Sequence, residues 1–497
     1  MHKSSRKQKS NHEFFRRQRP NLASPSQSNP PILTSSVRGR LFLTLFWAAW
    51  GVVTLLPFSL AQFSFAQTAN TATAKDVKAA DPAADTNNPE IQAELEKAVA
   101  AFNASKFADA ADILKALYSK FPELVPPRII LAQWFAQSNL GNAVRASLEQ
   151  GTEEVPNDPE AFLLLAEISL KQGALTATEA LLQIASTKLN AYTVNPARKT
   201  NMIRSFYRVT SDLNEARQRW TQMEASIDRQ IEVEGRTAEL LRKKGVALFQ
   251  QKKEDDARKM CVEADRLDVQ ADQKGLPADA IMSQLYLLRG DRDNARKFLD
   301  AALQAQPNSK EVLVLSIQMK INDDKLEEAK PLAQKLLADD TSSPSAKRLC
   351  ATVALYLEDY PTAEKLFEEL LLASPLETQH ANGLALALCE QDSPEKLRRA
   401  LAYASDNVQK DQNNSEYLGT LGWILYKANQ LEQSAYVLKQ SAASGQINAA
   451  TAYYLARLAV KTGKIEEAKQ LLNAALQGTN PFAKRRDAVR LLQELSK

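Results

Sequence analysis

The residue types that most often carry chemistry are few in this chain and far apart. Three cysteines, Cys261, Cys350 and Cys389, and three histidines, His2, His12 and His380, form no C-x-x-C pair and no H-x3-H pair, so no zinc site or His-based catalytic set can be assembled locally. Each cysteine falls within an apolar helical pattern, which is where small buried thiols belong. G-x-S-x-G, H-E-x-x-H, a Walker loop and G-x-G-x-x-G are all missing from the sequence. The acidic pairs Glu368-Glu369 and Glu466-Glu467, the remaining candidates for acid–base work, lie at matching places on helix surfaces and read as solvated faces. We therefore expect neither an enzyme nor a cofactor or metal site, and turn to the elements such a chain could build.

Those elements are helical. Glycine is scarce at 15 of 497 residues, and no stretch of the body shows the alternation of β-branched residues that strands require. The net charge of +4 is unevenly spread: residues 1–66 carry nine Lys/Arg against Glu13, a local excess of +8, which leaves −4 to the rest. A mildly acidic body has no electrostatic footprint for nucleic acid, so none is expected as a partner.

The N-terminus reads as an address. A basic segment precedes the uncharged apolar run of residues 41–60, and no charge follows until Lys75. That order predicts a cytoplasmic N-terminus and an exported body. Small residues in Ser59-Leu60-Ala61 and Ser64-Phe65-Ala66, after the helix-breaking Pro57, suit signal cleavage; the near-spanning length of the run suits an uncleaved single-pass anchor, through which the chain would hold to the membrane. Residues 67–89 are small, polar and Pro-punctuated, a linker.

From residue 90 onward a spacing of 34 residues organises the chain. Ala295, Ala329 and Ala363 stand 34 apart, and Leu421-Gly422, Leu425, Ser434 and Leu438 recur as Leu455-Ala456, Ala459, Ala468 and Leu472. The frame places the small residue of each first helix at Ala98, Ala132, Ala166, Arg204, Gly245, Ser283, Ile317, Ala351, Ala385, Gly422 and Ala456, with an irregular stretch between Ala166 and Ser283 and a slip of three at Ser393-Pro394. These residues resemble the tetratricopeptide repeat (TPR) pattern W-x2-L-G-x2-Y, A-x3-F, P, best matched by YLGTLGWILYKANQLEQSAYVLKQS.

The resemblance implies an all-α fold, a TPR-type α-solenoid: a right-handed superhelix of about eleven helix-turn-helix repeats plus a C-terminal cap helix. The expected divisions are repeats over 90–190, divergent repeats over 191–275, repeats over 276–480 and a cap over 481–497. The resemblance further implies a concave groove lined by the first helices at about their second, fifth, ninth and twelfth positions. In the last two units these positions include Trp423, Tyr426, Tyr453 and Arg457, an aromatic-plus-cation group that could anchor a peptide or pack between helices. Asn201, Arg208 and Arg242 form a second candidate, and Arg204 is expected to be buried with Asp212 or Glu215. The Lys and Asn set of the family's carboxylate clamp is missing. The function implied is a scaffold for protein or peptide partners in the cell envelope. The alternative is an envelope subunit binding glycan through groove aromatics such as Trp423.

Overall fold

The chain divides into two units, residues 1–64 and 65–497. In this computed structural model the described residues are 88–496 apart from 272, 274, 444–446 and 478–480, all within the second unit. The basic segment, the apolar run and nearly all of the linker lie outside them.

Helices follow one another in pairs. The N-terminal pairs are α1 and α2 (Pro89–Asn103, Phe107–Lys120), α3 and α4 (Pro127–Gln137, Gly141–Glu154) and α5 and α6 (Glu160–Lys171, Leu175–Ala191). The middle pairs are α7 and α8 (Pro196–Ala216, Trp220–Glu234), α9 and α10 (Ala238–Gln250, Glu254–Gln270) and α11 and α12 (Ala278–Arg289, Arg292–Ala305). The C-terminal pairs are α13 and α14 (Lys310–Asn322, Leu326–Asp339), α15 and α16 (Pro344–Tyr356, Tyr360–Ala373), α17 and α18 (Thr378–Cys389, Pro394–Lys410), α19 and α20 (Ser415–Lys427, Leu431–Ala443) and α21 and α22 (Ala449–Lys461, Ile465–Gln477). A single helix, α23 (Arg485–Leu495), closes the order. No strand occurs among the described residues, and no helix there is long and apolar enough to cross a membrane. Among the described residues the fold is an all-α solenoid of eleven pairs and a final helix.

Sequence chemistry starts and stops these helices. Asn88, Asn195, Thr237, Ser309, Ser343, Ser393, Asn414 and Asn448 each accept a hydrogen bond from a backbone N–H of the first turn. Inside nearly every pair the chain turns through one residue in the left-handed region: Ser105, Asn139, Gly173, Gln218, Lys252, Gly290, Asp324, Glu358, Asn429 and Gly463. These turn residues recur at 34-residue steps wherever the repeat is regular, and each follows the small residue of the first helix by the same seven positions.

That constant offset corrects the frame in the irregular stretch. Counting back from Gln218, the small residue is Ser211, which is buried, and its facing residue on α8 is Met223, also buried. Arg204 lies two helical turns earlier on the 21-residue α7 and is half-exposed. Its partner is Glu234 at 2.8 Å, not Asp212 or Glu215; Asp212 is taken by Lys243 at 3.0 Å.

Small residues let paired helices approach closely. Ala98, Ala132, Ala166, Ala351, Ala385 and Ala456 are buried, and Ser283 and Ser434 donate hydroxyl hydrogen bonds across their pairs to the Ala295 and Gly422 carbonyls, at 2.8 and 2.7 Å. The core runs as neighbouring clusters along the chain, the largest reaching from Leu313 to Leu491. The three cysteines are buried in it and unpaired. Burial pushes the Cys261 thiol up to about 12, and raises Cys350 and Cys389 above their ordinary value.

Packing at Gly383 on α17 leaves no room for a side chain: a Cβ there would sit 2.4 Å from Phe367 Cζ, with the rest of the ring edge just behind. Gly383→Ala is expected to destabilise by about 1–3 kcal/mol through overpacking, offset by up to about 1 kcal/mol of helix propensity. Thermal unfolding followed by circular dichroism checks this; an unchanged or raised Tm would show that the ring simply moves aside.

Candidate functional site

The four aromatic and cationic residues expected in the groove do come together, as an interior. Trp423 is 3% exposed, its ring stacked between Tyr426 and Tyr454 with centroids 5.1 and 4.8 Å away. Its Nε1 donates to Glu390 Oε1 at 2.7 Å. Tyr453 is 1% exposed and donates its hydroxyl to the Asp487 carboxylate, with Phe482 packed against the ring. Burial, followed by Asp487, raises the Tyr453 hydroxyl well above its ordinary value. Arg457 reaches Asp487 at 3.7 Å. Glu390 also meets Lys427 at 3.3 Å and Lys484 at 2.8 Å, and Lys484 donates to the Tyr360 hydroxyl at 2.5 Å. Burial, the largest influence, opposes the Lys484 charge, but Glu390 and Tyr360 together outweigh it and raise the pKa. These residues seat α23; Trp423 and Tyr453 offer a ligand no open face.

The middle candidates are each spoken for within the chain. Asn201 accepts from Arg204 at 3.1 Å, Arg208 pairs with Glu167 at 2.7 Å across two first helices, and Arg242 pairs with Asp268 and, at 3.4 Å, with Asp265. They do not converge on one another. The sequence reading did not single out Arg198, 4% exposed, which forks onto Asp158 at 2.6 and 2.8 Å and donates to Glu160 at 2.7 Å and to the Tyr192 hydroxyl at 2.9 Å.

A different feature lies on the first helices of two successive C-terminal pairs. Arg348 on α15 and Asn382 on α17 are 34 residues apart, each three residues before its pair's small residue, Ala351 or Ala385. The Arg348 side chain has no hydrogen-bond or ion-pair partner among the described residues, and burial, uncompensated by any carboxylate, pulls its guanidinium below the ordinary value. Asn382 is 3% exposed; its Nδ2 donates to Glu416 Oε1 at 3.0 Å while its Oδ1 is buried without a partner. His380 Nδ1, on the same helix, is likewise buried and unpartnered. Burial lowers the His380 pKa, Glu377 raises it and Arg348 lowers it, so Arg348 acts on His380 electrostatically. An unneutralised cation within electrostatic reach of a buried, unpartnered imidazole nitrogen is equipped to receive an anionic group with a hydrogen-bonding neighbour. No group of His, Cys, Asp or Glu among the described residues is placed to hold a metal ion. The signal in the sequence was an Arg and an Asn at one repeat spacing.

Paired helices, small residues at their crossings and a turn repeated every 34 residues define a helical-repeat scaffold. A family model described as tetratricopeptide repeat matches residues 351–414, which run from within α15 past the end of α18, and the solenoid is of the tetratricopeptide type. Among solved structures it is similar to a thermophilic TPR protein of Thermus thermophilus (18% identity, covering 38% of this chain and 100% of that one, TM-score 0.32). It is similar also to PilF of Pseudomonas aeruginosa (19%, covering 44% and 95%, TM-score 0.30) and to yeast Tom70 (14%, covering 82% and 96%, TM-score 0.31). These superpositions are too loose to transfer any residue or activity. No curated protein matches the chain.

Proposed function

We propose that this protein is a scaffold of the cell envelope whose first helices hold an acidic segment of a partner protein, gripped at Arg348. Tetratricopeptide repeats are generally non-catalytic scaffolds that bind proteins or peptides, and the solenoid is of that kind. The observation that carries the acidic-partner reading is the unpaired, half-buried Arg348, one repeat before Asn382, whose buried Oδ1 also lacks a partner, in a molecule whose buried Arg198 is fully matched by carboxylates. The envelope address rests on the basic segment and apolar run of residues 1–60. The glycan alternative rests on Trp423, whose ring is buried, and no observation favours it.

The test uses fluorescently labelled peptides with and without Asp/Glu clusters and the purified chain. Acidic peptides are expected to bind preferentially, and Arg348→Ala to weaken them roughly 10- to 100-fold, the worth of a charge-assisted hydrogen bond of about 1.5–3 kcal/mol. Because Arg348 has no partner to lose, the melting temperature should hold. Equal binding by the variant would remove the site. Mass spectrometry of the mature N-terminus and an alkaline phosphatase fusion after residue 90 test the address separately; a cytoplasmic body would overturn that half of the proposal.

A further inference from the structure

The last helix runs back along repeats far from it in sequence. Arg485 comes within 3.6 Å of Asp324, Arg486 within 3.2 Å of Glu327 and Arg490 within 3.8 Å of Glu358, while Lys484 pairs with Glu390. These four acids occupy one edge of three successive pairs. Asp324 and Glu358 are the left-handed turn residues, 34 apart, Glu327 begins α14, and Glu390 ends α17. The repeat thus presents an acidic strip at its own spacing, and α23 lies on it with a matching basic face and an apolar face that includes the buried Ala488 and Leu491.

The attachment is uneven. Backbone proximity is chiefly to α22, and the earlier repeats are reached by long side chains. Of the pairs to the strip only Lys484–Glu390 is buried; Glu327 is 72% exposed, Arg490 largely exposed and Arg486 half-exposed. Exposed pairs of this kind contribute little and are screened by salt. α23 is anchored at its start by Lys484, by Asp487 on the buried Tyr453 hydroxyl and by its apolar face, but its grip on the earlier turns of the strip is a few screened pairs, and that grip is replaceable by a better ligand of the same chemistry.

We propose that the acidic turn strip is a docking site for a basic amphipathic helix of a partner protein, and that α23 is an intramolecular occupant which that helix displaces. The site is distinct from Arg348 and takes the opposite charge, so either can fail alone.

Hydrogen exchange of the purified full chain should show α23 amides at least tenfold less protected than those of α22, with the gap widening as salt is raised. A labelled peptide of residues 481–497 is the binding probe. It should bind the Arg486→Glu plus Arg490→Glu chain, whose own α23 is repelled, at least tenfold more tightly than the unaltered chain, and lose that binding when Glu327→Lys and Glu358→Lys are added. All four substituted positions are partly exposed, and circular dichroism confirms the fold. If α23 is as protected as α22 at every salt concentration, or the peptide binds the altered and unaltered chains alike or neither, α23 is a fixed cap and the proposal is overturned.

Discussion

Replacing Arg198 with alanine is expected to destabilise the N-terminal half by about 3–5 kcal/mol, the usual cost of removing one partner from a buried ion pair. Arg198 and Asp158 are 4% and 5% exposed, and the guanidinium supplies hydrogen bonds to Asp158, Glu160 and Tyr192 at once. The cluster ties the start of α5, the link after α6 and the start of α7 together. Its loss strands carboxylates away from water, at a junction where a solenoid's cooperativity depends on the neighbour interface. Denaturant unfolding should therefore split, with a separate early transition reported by Trp134 fluorescence. Arg198→Lys should recover part of the loss, since it keeps the charge but not the fork.

The pH dependence has a definite sign. Burial is the largest influence on Glu160 and raises its pKa, with Arg198 pulling the other way; without Arg198 the rise is larger. A carboxyl whose folded pKa is raised contributes stability below its unfolded value and loses it as pH climbs through the folded value. The deficit of Arg198→Ala should thus be smallest in acid and grow toward neutrality. A single transition within about 0.5 kcal/mol of the parent, the range of an ordinary surface substitution, would show that the cluster couples nothing.

Trp423→Ala is expected to cost about 3–5 kcal/mol, the range for truncating a buried large aromatic. The ring fills the space between Tyr426 and Tyr454 and supplies one of the donors that neutralise buried Glu390. The loss should fall on α19–α23, seen as a lowered Tm and weakened near-ultraviolet circular dichroism. Acidic-peptide binding at Arg348 should persist below that Tm. Trp423→Phe should keep much of the stacking and lose the Nε1 bond to a charged acceptor, about 1.5–3 kcal/mol. A variant that melts normally yet no longer binds a partner would restore Trp423 to a groove.

Fold and site were unequally legible. Small residues at a fixed spacing announced the pairs, because a close crossing of two helices favours them and most units repeat that demand, Ile317 being an exception. The frame failed where α7 lengthened. A count anchored on side chains put Arg204 where Ser211 belongs, whereas the backbone turn at Gln218 marks the true place. That turn was itself unreadable: Ser105, Gln218, Lys252, Asp324 and Glu358 adopt a left-handed conformation that glycine would have advertised. Ion pairs between repeats leave no periodic trace either, so nothing tied Arg198 to Asp158 and Glu160, 40 and 38 residues away. At Trp423 the types were read correctly and the surroundings were not, since an aromatic beside a cation serves a groove or a packed seam equally well. What decides between them is the neighbouring units closing on the ring: Tyr454 of the next pair stacks on it and Glu390 of the preceding pair takes its Nε1–H.

The burial of all three cysteines has a practical side. A thiol reacts as thiolate, and none of Cys261, Cys350 and Cys389 is both accessible and ready to ionise near neutral pH. A fourth cysteine placed on any exposed helix face would therefore be the one fast-reacting thiol in the molecule. Spin labels or dye pairs can then be attached site by site to the native background, without first replacing residues on which the core depends.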